Sequence, residues 1–572
     1  MKTKKYISLL MAIIMMLSLF AGCGSEGNTP SVSDDKDTLY LRLSSALQST
    51  DWQQTSAMEG NKITYVQLFE GLYGIDESAG GYYNLLAKDI QVSEDGLTYT
   101  IELVDATFQN GDPLTAEDVV FSYELAMQNS KFGYVTSMID SIKADGDKTV
   151  IMTLKYPYSA ISHTFFTIKI YSKREYQEII DSGVPFGTRP HTAGTGPYYV
   201  SEYDVSAGVK LKAYENYWQG APAIKNVEYR LITEDAAAVI AYENGELDYL
   251  MDAPLSEWED IESSAQGRCT LAKANDIQFL GINYQSPSNN GILANPKVRE
   301  AIFYAINKES VVKAATSGYG TVAYEYMVPD YVATAPRASD GRFKTYDYNK
   351  DACHQALLDA GFSEEQIAAG INVGTILTYN ADTAPKAKAA VVIQACLAEN
   401  GMIANVEIGE TGPVTERLYA LDYDMCVYSD SGNYDYNNIR QQVDSESVGM
   451  YVVCYKDDKN TFDWQKIENL VDQGVLATDT KERYDIYTEL WSMIMDTKTI
   501  LPLYHGAVGI AWSDRVKIDS INPFPHDEEG VVSGSARRHS ECRDHRRQPG
   551  DSEEYQFLRR LRYVRNGGLL QD

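Results

Sequence analysis

Between Thr375 and Tyr428 the chain switches repeatedly between strand-like and helix-like runs. Residues 375–379 read as a strand, 385–399 as a helix stopped by Asn400-Gly401, and 403–408 as a second strand. Residues 414–420 and 424–428 repeat the alternation. A strand has a side-chain period of two and a helix one of 3.6, so each change of period marks a new element. Strands joined by helices in this way form an α/β sheet with helices on its faces. Ligands in such sheets bind beyond the carboxyl ends of strands, which singles out the loop after Tyr428.

Other segments can be placed locally. Residues 90–103 read as two strands around an Asp95-Gly96 turn, with Leu97, Tyr99, Ile101 and Leu103 on one face. Asn110-Gly111 makes another turn, and Thr115 caps a helix whose first turn carries Glu117 and Asp118. Asn295-Pro296 opens a second helix, with Val298, Ala301, Ile302, Ala305 and Ile306 as its apolar stripe. Residues 236–244 read as a helix stopped at Gly245, followed by a strand over 247–250.

The N-terminus carries a different signal. Lys2, Lys4 and Lys5 precede an uncharged run from Ile7 to Phe20. At about fourteen residues the run is too short to cross a bilayer stably, but it suits a secretory leader. It ends in Leu19-Phe20-Ala21-Gly22-Cys23, which resembles the bacterial lipobox, with Phe20 where that motif usually has Leu. The resemblance implies a signal peptide over 1–23 and lipidation of Cys23, which would anchor the protein to the outer face of the cell membrane. Residues 24–37 are polar and read as a flexible tether with an end-to-end distance of roughly 20 Å.

More than 500 residues remain, enough for two to four domains. A net charge of −31 argues against nucleic acid and anionic membrane surfaces as partners. The 42 tyrosines offer apolar faces with polar tips, useful in wet clefts, although most would be half-buried strand residues. The six cysteines beyond Cys23 are scattered singly and make no disulfide framework; Cys396 and Cys426 read as buried thiols. Seven histidines without HxxxH or HxH spacing predict no built-in metal site, and no cofactor is expected. Gly-x-Ser-x-Gly and His-Glu-x-x-His are absent, so a secreted hydrolase is disfavoured and no catalytic residue is assigned.

Several segments together resemble one family. Residues 86–103, followed by Asn110-Gly-Asp-Pro-Leu-Thr-Ala-Glu-Asp118, are similar to the signature of the extracellular solute-binding proteins of the peptide/nickel class, family five. Leu68-Phe-Glu-Gly-Leu72, Gly194-Thr-Gly-Pro-Tyr198, Tyr214-Glu-Asn-Tyr-Trp218 and Asn295-Pro-Lys-Val-Arg-Glu-Ala301 resemble further family segments in family order. Residues 281–284, 480–487 and 501–504 extend the resemblance across nearly the whole body.

The resemblance implies an α/β, two-lobed periplasmic-binding-protein-like (type II) clamshell with an extra domain inserted in lobe I. Lobe I would hold 38–60, 195–273 and 500–534, the insert 61–194, and lobe II 274–499. Two crossing strands would hinge near Gly281 and Leu501. The implied function is capture of a short peptide by closure, for delivery by a monomer to an ABC permease in the membrane. Peptide-binding relatives hold the ligand's ammonium on an aspartate in a loop corresponding to residues 427–438. Asp430 and Asp435 are the candidates here, with Tyr428 standing where those relatives have Trp. A neutral ligand such as an oligosaccharide is the alternative; Tyr434, Tyr436, Asn437 and Asn438 would then stack on and hydrogen-bond its rings. A peptide-sensing module without transport is the other alternative.

The C-terminus departs from this pattern. Residues 1–534 hold 12 arginines, whereas residues 535–572 hold 9 and no lysine. The shift reads as a changed reading frame, the other reading being a genuine basic tail.

Overall fold

The computed structural model describes residues 37–55, 63–76, 81–265, 268–274, 276–328, 332–379, 384–431, 435–443 and 462–517, with the short strands 520–521, 534–535 and 562–563. Cys23 with its leader, the tether up to residue 36, Tyr434 and most of 535–572 lie outside them.

Alternating burial builds the first recognisable unit. Strands Ala87–Val92 and Thr98–Leu103 pair antiparallel around Gly96, whose φ of 71° suits the turn. Tyr99, Ile101 and Leu103 are buried while Glu102 is exposed. Strands Thr149–Leu154 and Ile139–Ala144 complete a four-stranded sheet, covered by helix Ala116–Met127. Thr115 and Asp118 form a capping box at that helix's start, as the local sequence predicts.

Two larger sheets follow. The first orders Cys269–Lys273, Ala507–Trp512, Tyr249–Ala253, Thr38–Leu43, Asn226–Leu231, Gly208–Ala213 and Tyr198–Asp204. The second orders Thr321–Val322, Ile500–His505, Asp276–Ile282, Met425–Ser431, Ile371–Tyr379 and Met402–Gly409. In the second, Ile371–Tyr379 runs parallel to both Met402–Gly409 and Met425–Ser431, with helix Ala384–Glu399 as a crossover. This is the α/β pattern read from residues 375–428. The helix opened by Asn295 runs Pro296–Ala305, and Val298, Ala301, Ile302, Ala305 and Ile306 are fully buried.

Each large sheet has its own core. Ile277, Phe279, Ile376, Met425, Trp491 and Leu501 belong to one, and Leu39, Leu41, Trp52, Tyr198, Val227 and Ile510 to the other, which extends into the four-stranded unit. The result is a two-lobed α/β clamshell. Side chains from separate sequence segments tie the first lobe to the four-stranded unit. Gln109 donates its amide to the carbonyls of Leu68, Gly196 and Tyr198, at 2.8, 3.1 and 2.6 Å. Glu70 accepts from the Tyr217 hydroxyl and from Trp218 Nε1. Gly194 is required there, because a Cβ would lie 1.9 Å from the Leu68 carbonyl oxygen.

The chain crosses between the sheets twice, but not near Gly281 and Leu501. Leu280 pairs with Leu501 and Gly281 with Ile500, inside the second sheet and flanked by further strands, so these positions cannot bend freely. The crossings lie at 274–276 and 505–507. There Ala274 donates to the Gly506 carbonyl at 3.0 Å and the Gly506 amide to the Asp276 carboxylate at 3.0 Å. His505 Nδ1 meets the Asp276 carbonyl at 2.6 Å. Strand Ile500–His505, expected to open the last segment of lobe I, therefore belongs to the second sheet.

Candidate functional site

Strand Met425–Ser431 continues past Tyr428, so Asp430 stands on a strand rather than in a loop. Asp430 pairs with Ile277 and Ser431 with Asp276, the residue at the crossing. Asp430 thus sits at the end of the second sheet nearest the first lobe. Residues directly opposite across paired strands share a face. Asp430, Tyr428, Ile277 and Phe279 accordingly lie on one side of the sheet.

Aromatic rings pave that face. Tyr428 packs on Phe279 at 5.9 Å between centroids and on Tyr379 at 5.8 Å. Tyr326 packs on Phe279 and on Trp491, at 6.2 and 5.9 Å. Asp430 and Tyr428 are half-buried. The Tyr326 hydroxyl donates to Asp430 Oδ2, and Gln442 Nε2 donates to the same oxygen at 3.0 Å. Burial and the negative charge of Asp430 hold the Tyr326 pKa well above 10, so this tyrosine stays a protonated donor. Gln442 is fully buried, and its amide oxygen has no hydrogen-bond partner among the described residues. Reversing that amide would set its oxygen against the Asp430 carboxylate, so its orientation follows from the contact.

The other candidates are placed differently. Asp435 caps a short helix, Tyr436–Ile439, by accepting from the Asn437 amide at 2.9 Å. It also forms a buried ion pair with Arg483 at 2.6 Å. Burial opposes the charge on Arg483, but Asp435 and the Tyr487 hydroxyl outweigh it and raise its pKa. Tyr436 is fully buried against Tyr487, with centroids 5.2 Å apart. Asn437 donates to the Tyr158 hydroxyl at 3.2 Å, and Asn438 is buried. The fold therefore divides the candidates, with Tyr428 and Asp430 on the aromatic face and Asp435 to Asn438 in a buried polar network.

Sequence reasoning missed Tyr326, Gln442, Arg483 and Tyr158. Tyr326 lies 104 residues from Asp430 and Arg483 lies 48 from Asp435, so no local spacing marks either pair. Among the described residues, no three His, Cys, Asp or Glu side chains gather into a metal-holding group. Cys396 and Cys426 are buried thiols, and burial pushes that of Cys426 up to about 12.

The model of bacterial extracellular solute-binding proteins, family 5 (middle), matches residues 81–442. The oligopeptide-binding protein AppA of Bacillus subtilis is 24% identical over 457 residues, covering 74% of this chain and 80% of that protein. The glutathione-binding protein GsiB of Shigella flexneri is 28% identical over 353 residues, covering 60% and 64%. Among solved structures, AppA from Bacillus subtilis in complex with a nonapeptide superposes with a TM-score of 0.68 at 22% identity, covering 85% of this chain and 96% of that one. NikA from Brucella suis in complex with Fe(III)-EDTA gives 0.72 at 19% identity, covering 84% and 96%. With well over half its length matched, the chain belongs to the bacterial extracellular solute-binding proteins, family 5: non-enzymatic, extracytoplasmic carriers of peptides or other small solutes that work with ABC permeases.

Proposed function

We propose that this carrier captures short peptides and holds the ligand's ammonium on Asp430. The observation that carries this reading is the half-buried carboxylate of Asp430 at the end of the second sheet, held in place by donors from Tyr326 and Gln442. A carboxylate in a half-buried setting attracts a ligand cation with several N–H donors, because charge-assisted hydrogen bonds are the strong ones. The half-buried ring of Tyr428, backed by the buried Phe279 and Tyr379, offers area for a ligand's apolar parts without selecting one side chain. The peptide-binding names of AppA and GsiB favour the same chemistry.

Capture closes the lobes, and the ligand shifts that equilibrium by its higher affinity for the closed form. The liganded form then passes its cargo to an ABC permease. We further propose that the chain is monomeric and anchored through an acylated Cys23, so that labelled fatty acid is incorporated by the wild type and not by Cys23→Ala.

The test of the ligand site is a thermal-shift panel of peptides and oligosaccharides. A ligand at a hundredfold excess over Kd stabilises the folded form by about 2.7 kcal/mol. Wild type should shift with peptides and Asp430→Asn should not. Losing one partner of a desolvated pair costs roughly 2–5 kcal/mol, about thirty- to several-thousand-fold in affinity. A full peptide shift in Asp430→Asn, or shifts only with oligosaccharides, would overturn this reading.

A further inference from the structure

The polar network around Asp435 reaches across to the four-stranded unit. Tyr158 and Ser159 lie between that unit's strand Thr149–Leu154 and helix Ile161–Thr167. The Ser159 amide donates to the Val475 carbonyl at 3.0 Å, and its hydroxyl to the Gly474 carbonyl at 3.4 Å. Tyr158 accepts from Asn437 at 3.2 Å. Gly474 and Val475 end helix Trp464–Leu476, whose Trp464, Ile467 and Leu470 belong to the second lobe's core. Val475 instead packs with the core of the first lobe and the four-stranded unit.

Arg483 holds both anchor points in place. It sits on helix Thr480–Thr497, donates Nε to the Gly474 carbonyl at 3.0 Å and pairs with Asp435 through Nη2 at 2.6 Å. Asp435 in turn fixes the backbone amide of Asn437. A closed circuit results, running Ser159, Gly474, Arg483, Asp435, Asn437 and Tyr158. Gly474 admits it because a Cβ there would lie 2.3 Å from the Tyr487 ring, which packs beside Arg483. Two of the circuit's residues belong to the inserted unit and four to the second lobe, so opening the lobes must break its Ser159 and Tyr158 contacts.

We infer that this circuit is a latch that favours the closed form without ligand, with Asp435 and Arg483 as positioning residues that present Asn437 and the Gly474–Val475 carbonyls to the inserted unit. The latch requires no ligand atom, so it holds whatever solute the cleft accepts. It also gives Asp435 a role distinct from that of Asp430. A protein latched before binding pays less of the ordering cost on capture, and a weakened latch shifts the resting population toward the open form.

Hydrogen–deuterium exchange on the full-length, ligand-free protein tests this, read over residues 157–161 with 276–282 as the folding control. The wild type should protect the Ser159 amide. Asn437→Ala and Tyr158→Phe should each speed its exchange roughly fivefold or more and leave 276–282 unchanged. Arg483→Lys keeps the charge but loses the fork, and should speed it as well. If Asn437→Ala also loosens 276–282, Tyr158→Phe decides, because it removes one hydroxyl and keeps the ring. A Ser159 amide that exchanges at the unprotected rate in the wild type, or stays protected in Tyr158→Phe, would overturn the latch.

Discussion

Asp51 illustrates how strongly burial acts on single residues. Its carboxylate accepts from the Tyr171 hydroxyl and from the Gln53 amide, yet burial dominates and raises its pKa from 3.8 to about 6. The folded state therefore binds this proton more tightly than the unfolded chain. The stabilising contribution is full below pH 3.8 and is lost as pH rises through about 6. His163, His191 and His505 act in the opposite direction. Burial lowers each to about 4, so they stay neutral, and their contribution is lost as pH falls from 6.5 toward 4. Comparing Asp51→Asn with the wild type isolates the aspartate. The variant should be more stable than the wild type above pH 6, by about 3 kcal/mol, and the gap should shrink toward zero near pH 4. Melting curves across pH 4–8 check this, and a gap that does not depend on pH would contradict it. None of these shifts can be read from sequence, because an aspartate before a tryptophan does not declare how deeply it is buried.

Elements were more legible than residues. The period switch over 375–428, the Asp95-Gly96 hairpin and the caps at Thr115 and Asn295 are local features, and all appear where local chemistry puts them. Strand ends were less so. Asp430 and Ser431 read as a loop, but pairing with Ile277 and Asp276 extends the strand through them. The hinge was misplaced for the same reason, since pairing partners decide which part of a long strand can bend. What joins the elements was invisible. Gln109 serves three carbonyls from two distant segments, and nothing in its neighbourhood says so. Gln109→Leu should leave buried carbonyls short of partners and cost roughly 2 kcal/mol or more. Limited proteolysis should then cut the first lobe and the four-stranded unit sooner than wild type. A wild-type digestion rate would show that the carbonyls find other donors.

At the scale of the whole molecule, the two largest hydrophobic cores stand on two sheets joined by crossings at 274–276 and 505–507. Family resemblance pointed to this clamshell, and it put the expected ligand contacts within residues 427–438. It left Asp430 and Asp435 equivalent, because the ion pair that distinguishes them is made by Arg483, which tertiary packing brings to Asp435. The structure leaves Asp430 on the aromatic face at the end of the second sheet, and the account rests on that carboxylate meeting an ammonium. Titration calorimetry with one short peptide, in free-amine and N-acetylated forms, tests it directly. The account predicts that the free amine binds the wild type and that acetylation or Asp430→Asn each weakens binding at least about thirtyfold, with no further loss when the two are combined. Equal affinity for the acetylated and free peptides would contradict it.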